Sequence, residues 1–494
     1  MAGDQRTTTV GELPTPEPDG TRLPAVVTTV VWLLWAVSCV ALGVQSRTGA
    51  WDLAGVVRVD GLTAVMWTTV TFFSGIVHSY SRRYMTGDRT IDRFFARVFA
   101  FTLVVMLLVA ADSLALFWVA WLVMGLLMAG LIGHVGDWQQ ARAASSLARR
   151  YFVAGSASLA VGFVSLWWVT GATTVSGVAS ALGADAPAAV LLAAGALLLA
   201  ASIQSALVPF HAWLLSSMTA PTPASTLMHA GFVNAGGVLL VRFAPVVTAD
   251  SAVMLGIVLV GAASALGGKL LKTVRTDIKG QLGCSTVGQM GFMIMQAGLG
   301  FFAAAIAHLI LHGFYKAYRF LSSGSHVGHE HPDPSTPAES MGPLGAAVVV
   351  GTALAGGGLF AVLTGKGTGV DSGLLLTLVV VLTVVHAARD VVTHAALPPA
   401  IRYGAVPLVA LPALAAYAAI YRVLDGLLTG LPATGQPVAL TPIHGFVAAA
   451  FVVVYLAVER GAYTRSRRLY VALLNAGRPP TDTLLTNTEE YDEH

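Results

Sequence analysis

Apolar stretches of about 20 residues, enough for a helix to cross the hydrocarbon core of a bilayer, recur along the chain with short polar turns between them. They fall near residues 24–45, 58–80, 93–111, 113–134, 150–170 and 187–208, then near 221–245, 251–272, 280–300, 301–323, 343–364, 372–393, 403–424 and 441–460. The pattern predicts an all-α polytopic membrane protein of about 14 transmembrane helices. Residues 1–23 read as a flexible cytoplasmic tail, 24–460 as the transmembrane domain and 461–494 as a second cytoplasmic tail.

Cytoplasmic loops carry the excess of Lys and Arg, and the basic clusters test the count. Arg82, Arg83, Arg89, Arg93 and Arg97 follow the second stretch, Arg142, Arg149 and Arg150 the fourth, and Lys272, Arg275 and Lys279 the eighth. Arg460, Arg465, Arg467 and Arg468 follow the last. All four clusters follow even-numbered spans, which predicts that both termini are cytoplasmic.

One segment breaks the periodicity. Residues 204–242, QSALVPFHAWLLSSMTAPTPASTLMHAGFVNAGGVLLVR, join two apolar flanks through Pro209, Pro221 and Pro223 and carry His229 and Asn234. This predicts a proline-broken membrane helix. Backbone freed from helical bonding survives at membrane depth only where protein or water lines a cavity, so the break marks a transport path. A second interruption is expected at LPP, 397–399, beside His386, Arg389, Asp390 and His394.

Composition narrows the class. Of 494 residues, 55% are hydrophobic and 11% charged, against roughly 25% charged in a soluble domain. A net charge of +3 with basic residues in short clusters implies no nucleic-acid partner. Cys39 and Cys284 are isolated, so neither a disulfide framework nor a zinc set is expected. The amino-terminal MAGDQRTTTVGELPTPEPDG lacks the basic-then-apolar order of a signal peptide. His326, His329 and His331 in the loop 324–342 have ligand-like spacing without fixed geometry, and are expected to be solvated. Paired carboxylates, a nucleophile beside a base and a phosphate-cradling glycine loop are all missing, which points away from an enzyme.

Ionisable side chains at the centre of a span cost roughly 2.5–3.5 kcal/mol and tend to line pathways. In AAIAHLILHGFYKAYRF, His308, His312 and Lys316 recur every four residues and share one helix face. Histidine titrates near neutrality and a desolvated lysine releases its proton more readily, so the stripe can relay protons. The plainer alternative is that the histidines bond across helices and Lys316 snorkels to the cytoplasmic surface. His229, after the break, can bind an ion or order water, or simply bond across helices. His211, Asn234, Gln289, His386 and Asp390 are secondary candidates: His211 at a membrane surface, Asn234 bonding across helices, Gln289 ordering water with Ser285 and Thr286, and Asp390 with Arg389 in an interfacial ion pair.

Four ordered stretches resemble the antiporter-like membrane subunits of respiratory complex I and the Mrp cation/proton antiporters. They are VDGLTAVMWTTVTFFSGIVHSYSRRYM at 59–85, the broken segment, TDIKGQLGCSTVGQMGFM at 276–293 and AHLILHGFYKAYRFLSSGS at 307–325. Within that superfamily, HAWLLSSMTAPTPASTLMHAGFVNAGG, HGFYKAYRFLSSGS and RRLYVALLNAG are most similar to the DabB subunits of inorganic carbon accumulation systems. The resemblance implies a heterodimer with a DabA-like zinc-binding subunit, zinc belonging to that partner and no cofactor to this chain. It implies a role as membrane subunit of a carbon dioxide or bicarbonate uptake complex, conducting protons or sodium. It places His229, His308, His312 and Lys316 on the family's proton path. It also exposes two departures: the pumping subunits' glutamate and lysine correspond here to Leu122 and Gln204, against a full pumping cycle. The rival expectations are a subunit of a complex I, hydrogenase or Mrp assembly, and a non-conducting membrane anchor for a cytoplasmic enzyme.

Overall fold

The computed structural model describes residues 22–183, 187–323, 341–393, 398–431 and 437–483. Helix α1 (Leu23–Thr48) leads through a two-stranded antiparallel hairpin, β1 (Trp51–Leu53) and β2 (Val57–Val59), into α2 (Gly61–Tyr84), α3 (Ile91–Ala110), α4 (Leu114–Ile132) and α5 (Gln139–Thr170). The short α6 (Val175–Ala181) precedes α7 (Ala188–Gln204), α8 (Ala212–Ser216), α9 (Thr222–Ala230), α10 (Ala235–Arg242) and the single turn α11 (Ala244–Val247). Then come α12 (Ser251–Thr273), α13 (Ile278–Gly298), α14 (Phe302–Leu321), α15 (Pro343–Thr364), α16 (Gly373–Val392), α17 (Pro399–Leu427) and α18 (Pro442–Glu459). The described chain closes with α19 (Ala462–Arg465) and α20 (Arg467–Ala476).

Eleven helices among the described residues are long and apolar enough to cross a membrane, α9 and α10 counting as one interrupted span, and α7 is a shorter apolar helix. Two more, α13 and α14, reach 21 and 20 residues but carry the polar positions that dilute their hydropathy. Together these agree with the expected fourteen. Aspartate side chains open three spans by accepting a first-turn backbone N–H: Asp60 for α2, Asp250 for α12 and Asp277 for α13.

The interrupted span α9–α10 lies at the centre, enclosed by α2, α4, α7, α13 and α14, and every residue of α9 is buried. At the rim, α1, α17 and α18 leave Val37, Leu408 and Phe446 exposed, as lipid-facing spans do. Glycine sets the closest approach. A Cβ on Gly268 of α12 would stand 2.2 Å from the Gly288 nitrogen of α13, and one on Gly261 would stand 2.5 Å from the Met295 nitrogen.

The structure refines several sequence expectations. Of the three prolines, Pro209 and Pro221 occupy a largely buried connection between spans, which holds α8 and a cis Val208–Pro209 bond, and Pro223 sits in the first turn of α9. A further interruption falls inside the second flank, where Gly231 leaves helical geometry and a 3-10 turn spans Phe232–Asn234. Helix α5 begins eleven residues before the expected position 150, so Arg142, Arg149 and Arg150 ride on its first turns. The expected second break at LPP is instead the start of a helix, with Pro398 at the cap of α17 and Pro399 its first residue, because proline needs no donor there. His394, like His326, His329 and His331, lies outside the described residues.

Candidate ion-translocation site

Three titratable side chains on α14 face inward. His308 and His312 stack with ring centroids 5.9 Å apart and planes 14° from parallel, and Phe292 of α13 meets the His308 ring edge-on at 5.4 Å. Lys316, one turn further, is fully buried and its Nζ donates to the Leu282 carbonyl at 2.7 Å. It therefore does not snorkel. Its ammonium is held by the backbone of α13, and both ring nitrogens of the buried His312 have no protein hydrogen-bond partner among the described residues.

His229 joins the same place from α9. Its Nδ1 lies 2.9 Å from the Thr286 hydroxyl, and Thr286 donates to the Leu282 carbonyl at 2.9 Å. Leu282 thus accepts from Thr286 and from Lys316 together. Since Thr286 has one proton and spends it on Leu282, His229 must donate through Nδ1, which leaves Nε2 as the acceptor. That Nε2 is buried without a hydrogen-bond partner among the described residues, and the His229 ring stacks on Phe320 at 4.4 Å. His229, Thr286 and Lys316 form one hydrogen-bonded unit at the junction of α9, α13 and α14, with His312 and His308 continuing it along α14.

His308 also borders an open cleft of about 500 Å³ between α12, α13, α16, α17 and α18. Ser285, Gln289, Gln296 and Tyr417 line it, and at one end so do Lys269, Lys272, His386 and Glu459. Beyond Tyr417, one turn along α17, lies Tyr421. The buried Lys366, in the loop after α15, sits with Nζ 3.1 Å from the Tyr421 ring centroid and 5.2 Å from that of Phe301, a cation–π placement. Burial holds the Lys366 ammonium down to about 7, against the opposing pull of Asp425.

The secondary candidates divide. Gln289 faces the cleft beside His308, and His386 lies at its end. Asn234 does not bond across helices: its Nδ2 donates 2.7 Å to Ala230 O, a carbonyl freed by the interruption at Gly231. Ser205 of the neighbouring connection satisfies Val233 O at 2.7 Å in the same way. His211 binds the carbonyl of Ala476 at the end of α20, at 3.0 Å, away from the stripe. Asp390 is exposed, and Arg389 pairs with Glu459 instead. Gln204 is buried with its Nε2 unpartnered among the described residues, and Leu122 is half-buried on α4. Lys269, Glu459 and Lys366 escape sequence reasoning because each stands at a span's edge, where a charge is ordinary. No trio of His, Cys, Asp or Glu side chains placed to hold a metal occurs among the described residues.

Residues 111–350 match the model described as "NADH:quinone oxidoreductase/Mrp antiporter, TM", and residues 47–95 match "NADH-Ubiquinone oxidoreductase (complex I), chain 5 N-terminus". The chain is 40% identical over 283 residues to a probable inorganic carbon transporter subunit, DabB1, of Halothiobacillus neapolitanus, covering 56% of this chain and 50% of that protein. It is 39% identical over 285 residues to NADH-quinone oxidoreductase subunit L of Mycobacterium tuberculosis, covering 56% and 44% respectively. The chain spans about half the length of these curated relatives. A solved Mrp complex from Dietzia superposes with TM-score 0.54 at 23% identity, covering 94% of this chain and 51% of that one, which shows the fold. Over residues 47–95 and 111–350 the chain is thus similar to the membrane subunits of NADH:quinone oxidoreductase and the Mrp antiporters, and its fold is antiporter-like.

Proposed function

We propose that this chain conducts protons or another monovalent cation through the His229, His308, His312 and Lys316 unit, as the membrane subunit of an inorganic carbon uptake complex. The cation gradient energises a zinc-containing, DabA-like partner subunit, in the cell membrane of a prokaryote with both termini cytoplasmic. The observation that carries the reading is the wholly buried Lys316, held by one backbone carbonyl that it shares with the His229–Thr286 pair. A lysine removed from water costs several kcal/mol unless its proton has somewhere to go, and here two histidines continue from it along the helix. The 40% identity to a probable inorganic carbon transporter subunit supports the carbon assignment.

The test is carbon uptake by cells expressing this chain with its partner. Lys316→Met, which keeps the packing of the stem, is expected to abolish uptake while the complex still assembles. Uptake that survives this substitution, or that ignores both an uncoupler and sodium removal, overturns the proposal and leaves the membrane-anchor alternative. A second reading, service in a complex I, hydrogenase or Mrp-type assembly, is favoured by the 39% identity to subunit L. The buried Gln204, where those pumps carry a lysine, weighs against it. Copurification decides: a quinone reductase, a hydrogenase or a set of small Mrp-type subunits would replace the first reading.

A further inference from the structure

The carboxyl-terminal ends of α12, α16 and α18 converge on a cluster separate from the α14 stripe. Lys269 Nζ lies 3.1 Å from His386 Nε2, and His386 Nδ1 lies 2.6 Å from Glu459 Oε1. Arg389 holds the other carboxylate oxygen of Glu459. Lys272 lines the same end of the cleft, Tyr455 meets the His386 ring edge-on at 6.4 Å, and the exposed Asp390 follows Arg389 on α16. Lys272 lies in the last turn of α12, and Arg275, Arg460 and Arg465 lie just beyond the ends of α12 and α18, marking the side on which cytoplasmic loops fall. The cleft that starts here also contains His308.

We infer that Lys269, His386 and Glu459 form a proton-admitting wire at the basic-loop end of the cleft, feeding His308, so that the cation this chain carries is the proton and not sodium. The inference rests on the conduction reading above and names its ion. A carboxylate can only accept, so in the observed arrangement His386 Nδ1 bears the hydrogen and Nε2 offers its lone pair to Lys269. The imidazole is therefore bonded at both nitrogens, as a two-ended relay requires. For inward transfer the imidazole begins as the other tautomer. Protonated Glu459 gives its proton to Nδ1 while Nε2 passes its own to neutral Lys269. The acid loses one proton, the amine gains one, and the imidazole exchanges one N–H for the other. Sodium is poorly served here. Hard cations are held by several oxygens, whereas this cluster offers one carboxylate already bridged by Arg389 and His386, with the Lys269 and Lys272 side chains at the same end of the cleft.

The experiment is dye-reported acidification of vesicles that contain this chain with its partner, under an imposed potential, with and without sodium. His386→Gln retains a donor and an acceptor but cannot shuttle a proton, so it separates relay from packing. His386→Gln, Glu459→Gln and Lys269→Met are each expected to slow proton entry by at least about tenfold at unchanged complex yield. Glu459→Asp is expected to restore most of the flux with a shifted pH profile. Wild-type flux in His386→Gln, or wild-type transport that requires sodium and moves no protons, overturns this inference while leaving cation conduction standing. A wild-type complex that moves no cation overturns the conduction reading itself.

Discussion

Thr286 has one proton and two acceptors within reach, and its choice fixes the tautomer of a histidine 57 residues away in the chain. Replacing it by valine strips His229 of its acceptor inside a fully buried site. Leaving such a donor unpaired costs about 1–3 kcal/mol, and the His229 tautomer is no longer dictated. Thr286→Val is therefore expected to lower thermal stability by that amount and to slow cation-driven uptake, while Thr286→Ser, which keeps the hydroxyl, restores both. Melting of the purified complex beside the uptake assay checks this. At this scale the α14 stripe is legible in the sequence, since spacing by four is enough to align His308, His312 and Lys316. The Thr286 contact and the Lys316–Leu282 bond are not. They depend on how α9, α13 and α14 are set against one another, which no local pattern encodes.

Between elements, the α12–α13 seam is built from facing glycines that bring backbone to backbone. A Cβ at Gly268 would meet the nitrogen of Gly288 at 2.2 Å and its Cα at 2.5 Å, atoms that cannot move without moving a helix. Gly268→Ala is expected to destabilise the bundle by about 1–3 kcal/mol, as overpacking does, and to disturb the cleft that the two helices border. A melting curve in detergent measures the first effect. The small-residue run of α13 shows in the sequence that helices pack closely there, but the identity of the partner helix comes from the structure.

A second inter-element joint is the pair Asp60–Arg242. The aspartate caps α2 and the arginine ends α10, with the Thr63 hydroxyl and the Val109 carbonyl also accepting from the arginine. Burial pushes the Asp60 carboxyl up, but Arg242 and the Thr63 bonds outweigh it and hold the group below its usual value of 3.8. A depressed carboxylate contributes stability that is complete above its unfolded pKa and is lost as pH falls through the folded one. Thermal stability is expected to decline below about pH 4, with Asp60→Asn removing that part of the decline. The same substitution is expected to cost about 3 kcal/mol or more at neutral pH, because it leaves Arg242 buried and unpaired.

For the whole molecule, orientation and closure are the open quantities. With Cys39 and Cys284 replaced by serine, a single cysteine at Arg468 is expected to react with a membrane-impermeant maleimide only from the cytoplasmic side, since the basic clusters follow even-numbered spans. Labelling of intact cells would reverse the expected topology. The end of the described chain returns to the bundle: Ala476 accepts from His211, and Thr483 reaches Ser216 at 3.3 Å. Such closure joins residues some 265 positions apart and is invisible to any window of sequence.

Hydrophobic run length determined the number of spans, and charge placement the expected topology. Four-residue spacing determined that one helix carries a titratable stripe. These follow from the chain alone because a bilayer imposes its thickness on each segment separately, and a helix imposes its own period. Only the tertiary structure decided that Lys316 is buried and not at the surface, that Arg389 chooses Glu459 over Asp390, and that Asn234 closes a break in its own segment. It also decided that Lys269, His386 and Glu459 meet. Each of these depends on which helix faces which, and that is set by close packing among many nearly equivalent apolar surfaces, where a glycine's missing methyl group can select the neighbour.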